Sequence, residues 1–420
     1  MGMTIAEKIL ARASKKELVK PGEIVIAKID RTRIVDLQAS KLYQYLKELS
    51  LEVWDPGRVV IILEHDAPPN SVASAQTYKD ARIFAREYGI PHFYELGRHG
   101  ICHQLFVEKG FARPGELVAA ADSHTCTYGA LNVASRGIGP QEMLYVLARG
   151  ELWFRIPESI KFVLTGKLRP GVMSKDVILA IAGRYGTDVA LYKSAEFLGD
   201  GVEEMSLSSR MTIANMGVEI GAKFALFEAD QKTVDYVRKR TNEPFEPVKA
   251  DPDAEYEAIY EIVLDDITPH VACPHDVSNS RGINQIEGIP VNQAFLGACT
   301  NSRFEDLEIA AQILKGHSIN PDVRMIVTPG SQEIYLEALR AGLIETFIEA
   351  GCVVTNPSCG ACGGGGMGIL APGERCISSS NRNFRGRMGS PEAEVYLASP
   401  ATVAASAITG KITDPRNYIT

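Results

Sequence analysis

Cysteine, histidine and arginine carry the chemistry of this sequence, gathered in a few short strings. Cys359-Gly-Ala-Cys362 is a C-x-x-C pair in a Pro/Ser/Gly loop, and Cys299 closes an earlier apolar run. Such thiols serve as buried core, zinc ligands, a redox dithiol or iron–sulfur ligands. A zinc site usually takes four protein ligands, and no second C-x-x-C or closely spaced histidine pair supplies the rest. A redox dithiol normally opens a helix in a small thioredoxin-like unit. Three thiolates from two loops can hold an iron–sulfur cluster with one iron unligated by protein. Such an iron acts as a Lewis acid on a carboxylate or hydroxyl. Cys352 and Cys376 lie in apolar runs and read as core, Cys273 is ambiguous, and Cys102 and Cys126 neighbour His103 and His124.

His65, His103 and His124 stand apart from the other five histidines, which read as surface or structural. Each has a carboxylate within three residues or a plausible distant one, and two of the three follow apolar runs. A carboxylate behind an imidazole fixes its tautomer and stabilises its charged form. Such pairs suit proton delivery to a leaving hydroxide. Ser380-Asn-Arg-Asn-Phe-Arg-Gly-Arg387 places three arginines within six residues, interleaved with Asn, Gly and Phe. Guanidinium forks grip carboxylates in bidentate fashion, so the expected ligand is a small polycarboxylate.

The elements that must position these groups read as apolar strands ending in polar or glycine-rich residues, each followed by a helical stretch. Expected strands are Arg58–Leu63, Glu116–Ala121, Ile160–Leu164, Asn292–Leu296, Val323–Val327, Cys352–Thr355 and Cys376–Ser380. Unbroken apolar strands alternating with helices indicate an α/β fold with parallel sheets covered on both faces. Ligands in such sheets bind beyond the carboxyl ends of the strands, where the reactive residues lie here. A short amphipathic helix is expected at the N-terminus, with Ile5, Ile9 and Leu10 on one side. Gly363–Gly366 suits close backbone approach to a bulky group.

With 420 residues the chain exceeds one ordinary core. Hydrophobic residues make up 45% and charged residues 23%, an ordinary globular balance, and the formal net charge is −8. That charge argues against nucleic-acid or membrane-surface partners. No apolar run approaches the ~20 residues of a membrane span, and the N-terminus lacks the apolar stretch of a secretory signal. Eight cysteines are sparse for this length, so a reducing, cytoplasmic setting is expected.

Taken together, Gly297-Ala-Cys-Thr-Asn-Ser-Arg303, Pro357-Ser-Cys-Gly-Ala-Cys362, Ala121-Asp-Ser-His-Thr125 and Ser380–Arg387 resemble the aconitase superfamily, specifically its isopropylmalate dehydratase/homoaconitase large-subunit branch. The resemblance spans essentially the whole chain. It implies three α/β/α domains, at 1–156, 157–285 and 286–420, around a [4Fe–4S] cluster held by Cys299, Cys359 and Cys362. It implies His–carboxylate pairs of His65 with Glu64, His103 with Asp122, and His124 with Glu196. Ser123, Asn381, Arg382 and Arg387 are implied to meet the cluster or the substrate. The implied activity is a hydro-lyase that isomerises a hydroxy-polycarboxylate by dehydration and rehydration, with 3-isopropylmalate or homocitrate/homoisocitrate as substrate, in leucine or lysine-type biosynthesis. Alternatives are a dehydratase of another small hydroxy acid such as a dimethylmalate, and a cluster-free relative that binds RNA. The chain departs from the family in Glu64, where Asp is usual before the histidine, and in Val35 before Asp36. No Gly-Ser-Ser-Arg type loop occurs, and the chain leaves too few residues for a fourth domain. The family's catalytic serine and its swivelling domain are therefore expected on a separate small subunit.

Overall fold

Stretches such as Val59-Val-Ile-Ile-Leu63 are apolar at every position because a parallel strand is covered on both faces, and all five residues are fully buried. The computed structural model describes residues 2–419; Met1 and Thr420, the end residues of the expected first and third domains, lie outside the described residues. The chain forms two compact units. Unit 1 comprises Met1–Thr165 and Ala190–Ile262, and unit 2 comprises Gly166–Val189 and Val263–Thr420.

Unit 1 contains strands β1 (Ile24–Lys28), β2 (Arg31–Val35), β3 (Val59–Ile62), β4 (His92–Tyr94), β5 (Leu117–Ala120), β6 (Ala134–Gly137), β7 (Glu151–Arg155), β8 (Ser159–Thr165), β9 (Ser194–Leu198), β10 (Phe224–Phe227) and β11 (Ala258–Val263). One sheet runs in the order β4-β3-β2-β5-β6, with every neighbouring pair parallel. A second runs β10-β9-β8-β11, and β1 pairs antiparallel with β7 in a separate ribbon. The N-terminal helix Ile5–Ala13 is present, closed by a Thr4/Glu7 capping box, with Ile5, Ile9 and Leu10 buried.

Unit 2 contains β12 (His270–Ala272), β13 (Ser280–Gly282), β14 (Gln293–Leu296), β15 (Arg324–Val327), β16 (Val353–Val354), β17 (Arg375–Ser378) and β18 (Glu394–Leu397) in one sheet, ordered β13-β12-β18-β17-β14-β15-β16. The five strands from β14 to β18 are mutually parallel, and β12 alone runs against its neighbours β18 and β13. All seven strands expected from the sequence are present, with ends shifted by a residue or two. The packing groups residues differently from the cuts expected at 156/157 and 285/286. Strands β12 and β13 extend the unit 2 sheet, and helix Ser174–Tyr185 packs there too, because its first turn bonds to the start of β12. No helix among the described residues is long and apolar enough to cross a membrane.

The segment Ser123–Leu131 after β5 lies so close to β10 that a Cβ on Gly129 would overlap the Ala225 carbonyl and touch the Leu226 backbone. Only glycine permits this approach. Gly129→Ala should therefore cost about 1–3 kcal/mol through forced backbone shifts. The expected result is a lower melting temperature by calorimetry; an unchanged melting curve would show that the segment yields freely.

Candidate active site

In unit 1 the reactive side chains stand at the carboxyl ends of β2, β3 and β5. Asp36 follows β2, Glu64 and His65 follow β3, and Asp122, Ser123 and His124 follow β5. His65 Nδ1 lies 2.6 Å from Asp36 Oδ1, and Asp36 Oδ2 accepts the backbone N–H groups of His65 and Glu64 at 2.8 and 3.2 Å. Burial alone would raise the Asp36 pKa, but these hydrogen bonds hold it below its ordinary value. The expected partner, Glu64, is 3.9 Å from the ring. Its longer side chain turns inward, where Oε2 accepts the Cys102 N–H at 2.7 Å at the start of helix Cys102–Glu108. The primary partner of His65 is thus Asp36, one strand away.

The expected pair of His103 and Asp122 is present, with Nε2 2.6 Å from Oδ1. The same carboxylate caps Ser123–Leu131 by accepting the His124 N–H at 2.9 Å. Beneath the pair lies Arg33, fully buried, whose Nε donates to the Tyr128 hydroxyl at 2.9 Å and Nη2 to Thr125 Oγ1 at 3.4 Å. Burial pushes the His103 pKa down to about 4, with Arg33 and His124 adding to the effect against the pull of Asp122. Asp122 stays well below its ordinary value despite burial, because His103, Arg33 and His124 all favour its charge. The group is therefore a carboxylate balanced by a guanidinium beside a neutral imidazole. His103 Nδ1 has no hydrogen-bond partner among the described residues.

His124 Nε2 lies 2.8 Å from Glu219 Oε1, and Ser123 Oγ is 3.3 Å from its Nδ1. The expected partner, Glu196, is elsewhere. Its carboxylate is fully buried on β9, accepting the Ala6 N–H at 3.2 Å and the Tyr256 hydroxyl at 2.7 Å, and burial raises its pKa to about 7. Glu219 sits in the single turn Met216–Ile220, 95 residues from His124, with no motif to mark it.

In unit 2 the three expected cysteines follow β14 and β16. Cys299 is preceded by Ala298 at φ +68°, a left-handed conformation that costs a non-glycine residue energy and turns the chain off the strand. Asn381, after β17, is fully buried and spans two of the thiols: Nδ2 is 3.3 Å from Cys299 Sγ, and Oδ1 is 3.7 Å from Cys362 Sγ. Arg387 Nη2 lies 3.2 Å from Cys362 Sγ, and its guanidinium packs about 4 Å from where a Cβ of Gly363 would stand. Arg382 is half-buried directly after Asn381. Arg303 donates to the carbonyls of Cys299 and Thr300 at 3.0 and 2.7 Å, fixing the first cysteine loop. Sulfur ligands from separate loops, with N–H donors aimed at sulfur, suit an iron–sulfur cluster. Burial pushes the Cys352 and Cys376 thiols up to about 12, consistent with inert core positions.

The native state holds His103 neutral where the unfolded chain binds a proton below about pH 6.5. Stability should therefore be full above pH 6.5 and fall as pH drops toward 4, by roughly 3 kcal/mol from this group. His103→Gln should flatten the acid limb of a plot of melting temperature against pH between 6.5 and 4.5. Parallel limbs in the two proteins would count against the neutral assignment.

Comparison with known proteins gives this geometry a context. The model of the aconitase family (aconitate hydratase) matches residues 7–287 and 278–410. The chain is 48% identical over 420 residues to the 3-isopropylmalate dehydratase large subunit 1 of Methanopyrus kandleri, covering 100% of both chains. It is 48% identical over 420 residues to the 3-isopropylmalate dehydratase large subunit of Moorella thermoacetica, again covering 100% of both. It is 46% identical over 419 residues to a Methanothermobacter thermautotrophicus protein named "Probable methanogen homoaconitase large subunit", covering 99% and 98%. The holo-form crystal structure of Thermococcus kodakaraensis aconitase X shares the fold, with a TM-score of 0.51, 10% identity and 88% of each chain covered. The chain belongs to the aconitase family.

Proposed function

We propose that this chain is the large, catalytic subunit of a [4Fe–4S] hydro-lyase. It isomerises a small hydroxy-polycarboxylate by removing and re-adding water, with 3-isopropylmalate or homocitrate/homoisocitrate as substrate, in leucine or lysine biosynthesis. The observation that carries this reading is the meeting of Cys299 and Cys362 on one buried amide, Asn381, in a chain of the aconitase family. Relatives of nearly equal length are named as large subunits of these enzymes, which supports the activity and a separate small subunit. That subunit would carry the swivelling domain and the catalytic serine. Free cysteines throughout the described residues suit a reducing, cytoplasmic setting.

Cys299, Cys359 and Cys362 would hold the cluster, and an iron without a protein ligand would supply Lewis-acid chemistry at a substrate hydroxyl or carboxylate. Elimination from a hydroxy acid needs a proton for the leaving hydroxide and cations for the developing negative charge. His65, backed by the ionised Asp36, is the proton donor to the leaving oxygen. Neutral His103, with Nε2 committed to Asp122, offers the Nδ1 lone pair as an acceptor for a hydroxyl or water proton. His124 is held from both sides by Glu219 and the Asp122 cap and orients the same oxygen. Ser123 and Arg382 bind substrate carboxylates, and Arg387 binds one while donating to Cys362 Sγ.

Two experiments test the reading, each done without air and with the small subunit present. Cys359→Ser should abolish both the brown chromophore and turnover, while Cys352→Ser should keep both; a retained cluster in Cys359→Ser would sink the ligand assignment. Arg382→Ala and Arg387→Ala should each cost about 2–5 kcal/mol in kcat/KM for a desolvated ion pair. Near-normal specificity constants in both variants would return these arginines to a structural role.

A further inference from the structure

Helix Ser174–Tyr185 carries into unit 2 a charged group that the reaction above does not use. The side chain of Lys175 is fully buried. Its Nζ donates to the carbonyls of Ser379 at 2.9 Å and Ser380 at 2.5 Å. These carbonyls follow β17 and stand immediately before Asn381, the residue that spans Cys299 and Cys362. An ammonium has three donors, and the third has no acceptor among the described residues. The adjacent Asp176 does not close an ion pair with it: its carboxylate accepts the Met173 N–H at 2.7 Å and the His270 N–H at 2.9 Å, locking the helix start in place. Burial lowers the Lys175 pKa to about 7, and the groups that oppose this most strongly are Cys299, Asp306 and Cys362, two of them proposed cluster ligands.

A buried ammonium without a carboxylate partner is costly unless negative charge stands nearby. Two backbone dipoles supply part of that compensation. The negative charge of a bound cluster would supply the rest.

We infer that Lys175 is a positioning residue of the iron–sulfur site, holding the Ser379–Ser380 turn ahead of Asn381 and stabilising the more reduced cluster with its charge. This rests on the proposal that the three cysteines hold a cluster. A positive charge beside a cluster favours the form with one more electron, so protonated Lys175 raises the reduction potential.

The test is a redox titration of the reconstituted chain, followed by electron paramagnetic resonance, with iron and sulfide content measured in parallel. Lys175→Met keeps the shape and removes both charge and donors; Lys175→Gln keeps N–H donors without charge and stands in if the first variant does not fold. Either variant should shift the reduction equilibrium at least tenfold toward the oxidised form, ~59 mV more negative for one electron. A variant that melts like the wild-type apo-chain but takes up less than a tenth of the iron also supports the inference, since a merely structural lysine would alter melting instead. A variant that retains the cluster with its equilibrium within twofold of wild type overturns it. A wild-type chain that takes up no cluster overturns the iron–sulfur reading itself, a result distinct from either.

Discussion

The ring of Phe295 is the spacer on which the cysteine loops are built. Phe295 lies near the end of β14, and a Cβ on Gly297 would stand 2.6 Å from its ring and 3.1 Å from Thr328 Cβ. Gly360, immediately after Cys359, backs onto the same two residues, with φ +54° and only 3.0 Å from the place of a Cβ to the ring. Both loops therefore rest on one aromatic surface, and both need glycine at the contact. Thr328 is itself fixed by its N–H to the Leu296 carbonyl at 2.8 Å and its hydroxyl to that of Thr355 at 2.8 Å. The ends of β14, β15 and β16 are thus tied into one surface, and parallel register brings the Cys299 loop to the Cys359/Cys362 loop.

Around these strand ends each unit balances its own buried charge. In unit 1 the cation is Arg33, which lets Asp122 stay ionised while His103 stays neutral. In unit 2, Lys175 holds the turn before Asn381, Arg303 holds the Cys299 carbonyl and Arg387 donates to Cys362 Sγ. The compensating groups are buried or half-buried, where low dielectric makes each of them count for more than it would in water.

Residues marked by a local string were legible in the sequence: the three cysteines, Asp122-Ser-His124 and the arginine segment each occupy the strand end they were expected to occupy. Parallel strands announce themselves as unbroken apolar runs, so the α/β architecture was legible for the same reason. The carboxylate partners were harder. Glu64 was expected behind His65 because the family resemblance implied that pair, but consecutive residues at a strand end point in different directions, and Asp36, just after the neighbouring strand, reaches the ring instead. Glu219 and Lys175 lie on a single turn and a helix start far along the chain, and only the fold brings them to His124 and Asn381. Arg33 was hidden inside a strand, where alternation alone would place it at the surface.

The order in which the chain is made adds a consequence of its interleaving. Residues 166–189 belong to unit 2 but are followed by more than seventy residues of unit 1. Lys175 leaves the ribosome 204 residues ahead of its first carbonyl acceptor and 205 ahead of its second. At roughly 5–20 residues per second, that is on the order of ten to forty seconds of waiting. During synthesis its helix is made between two stretches of the chain that belong to unit 1. The central position of β17 in the unit 2 sheet is filled only after all three cysteines have been made, so the thiols are synthesised before the turn that Lys175 holds.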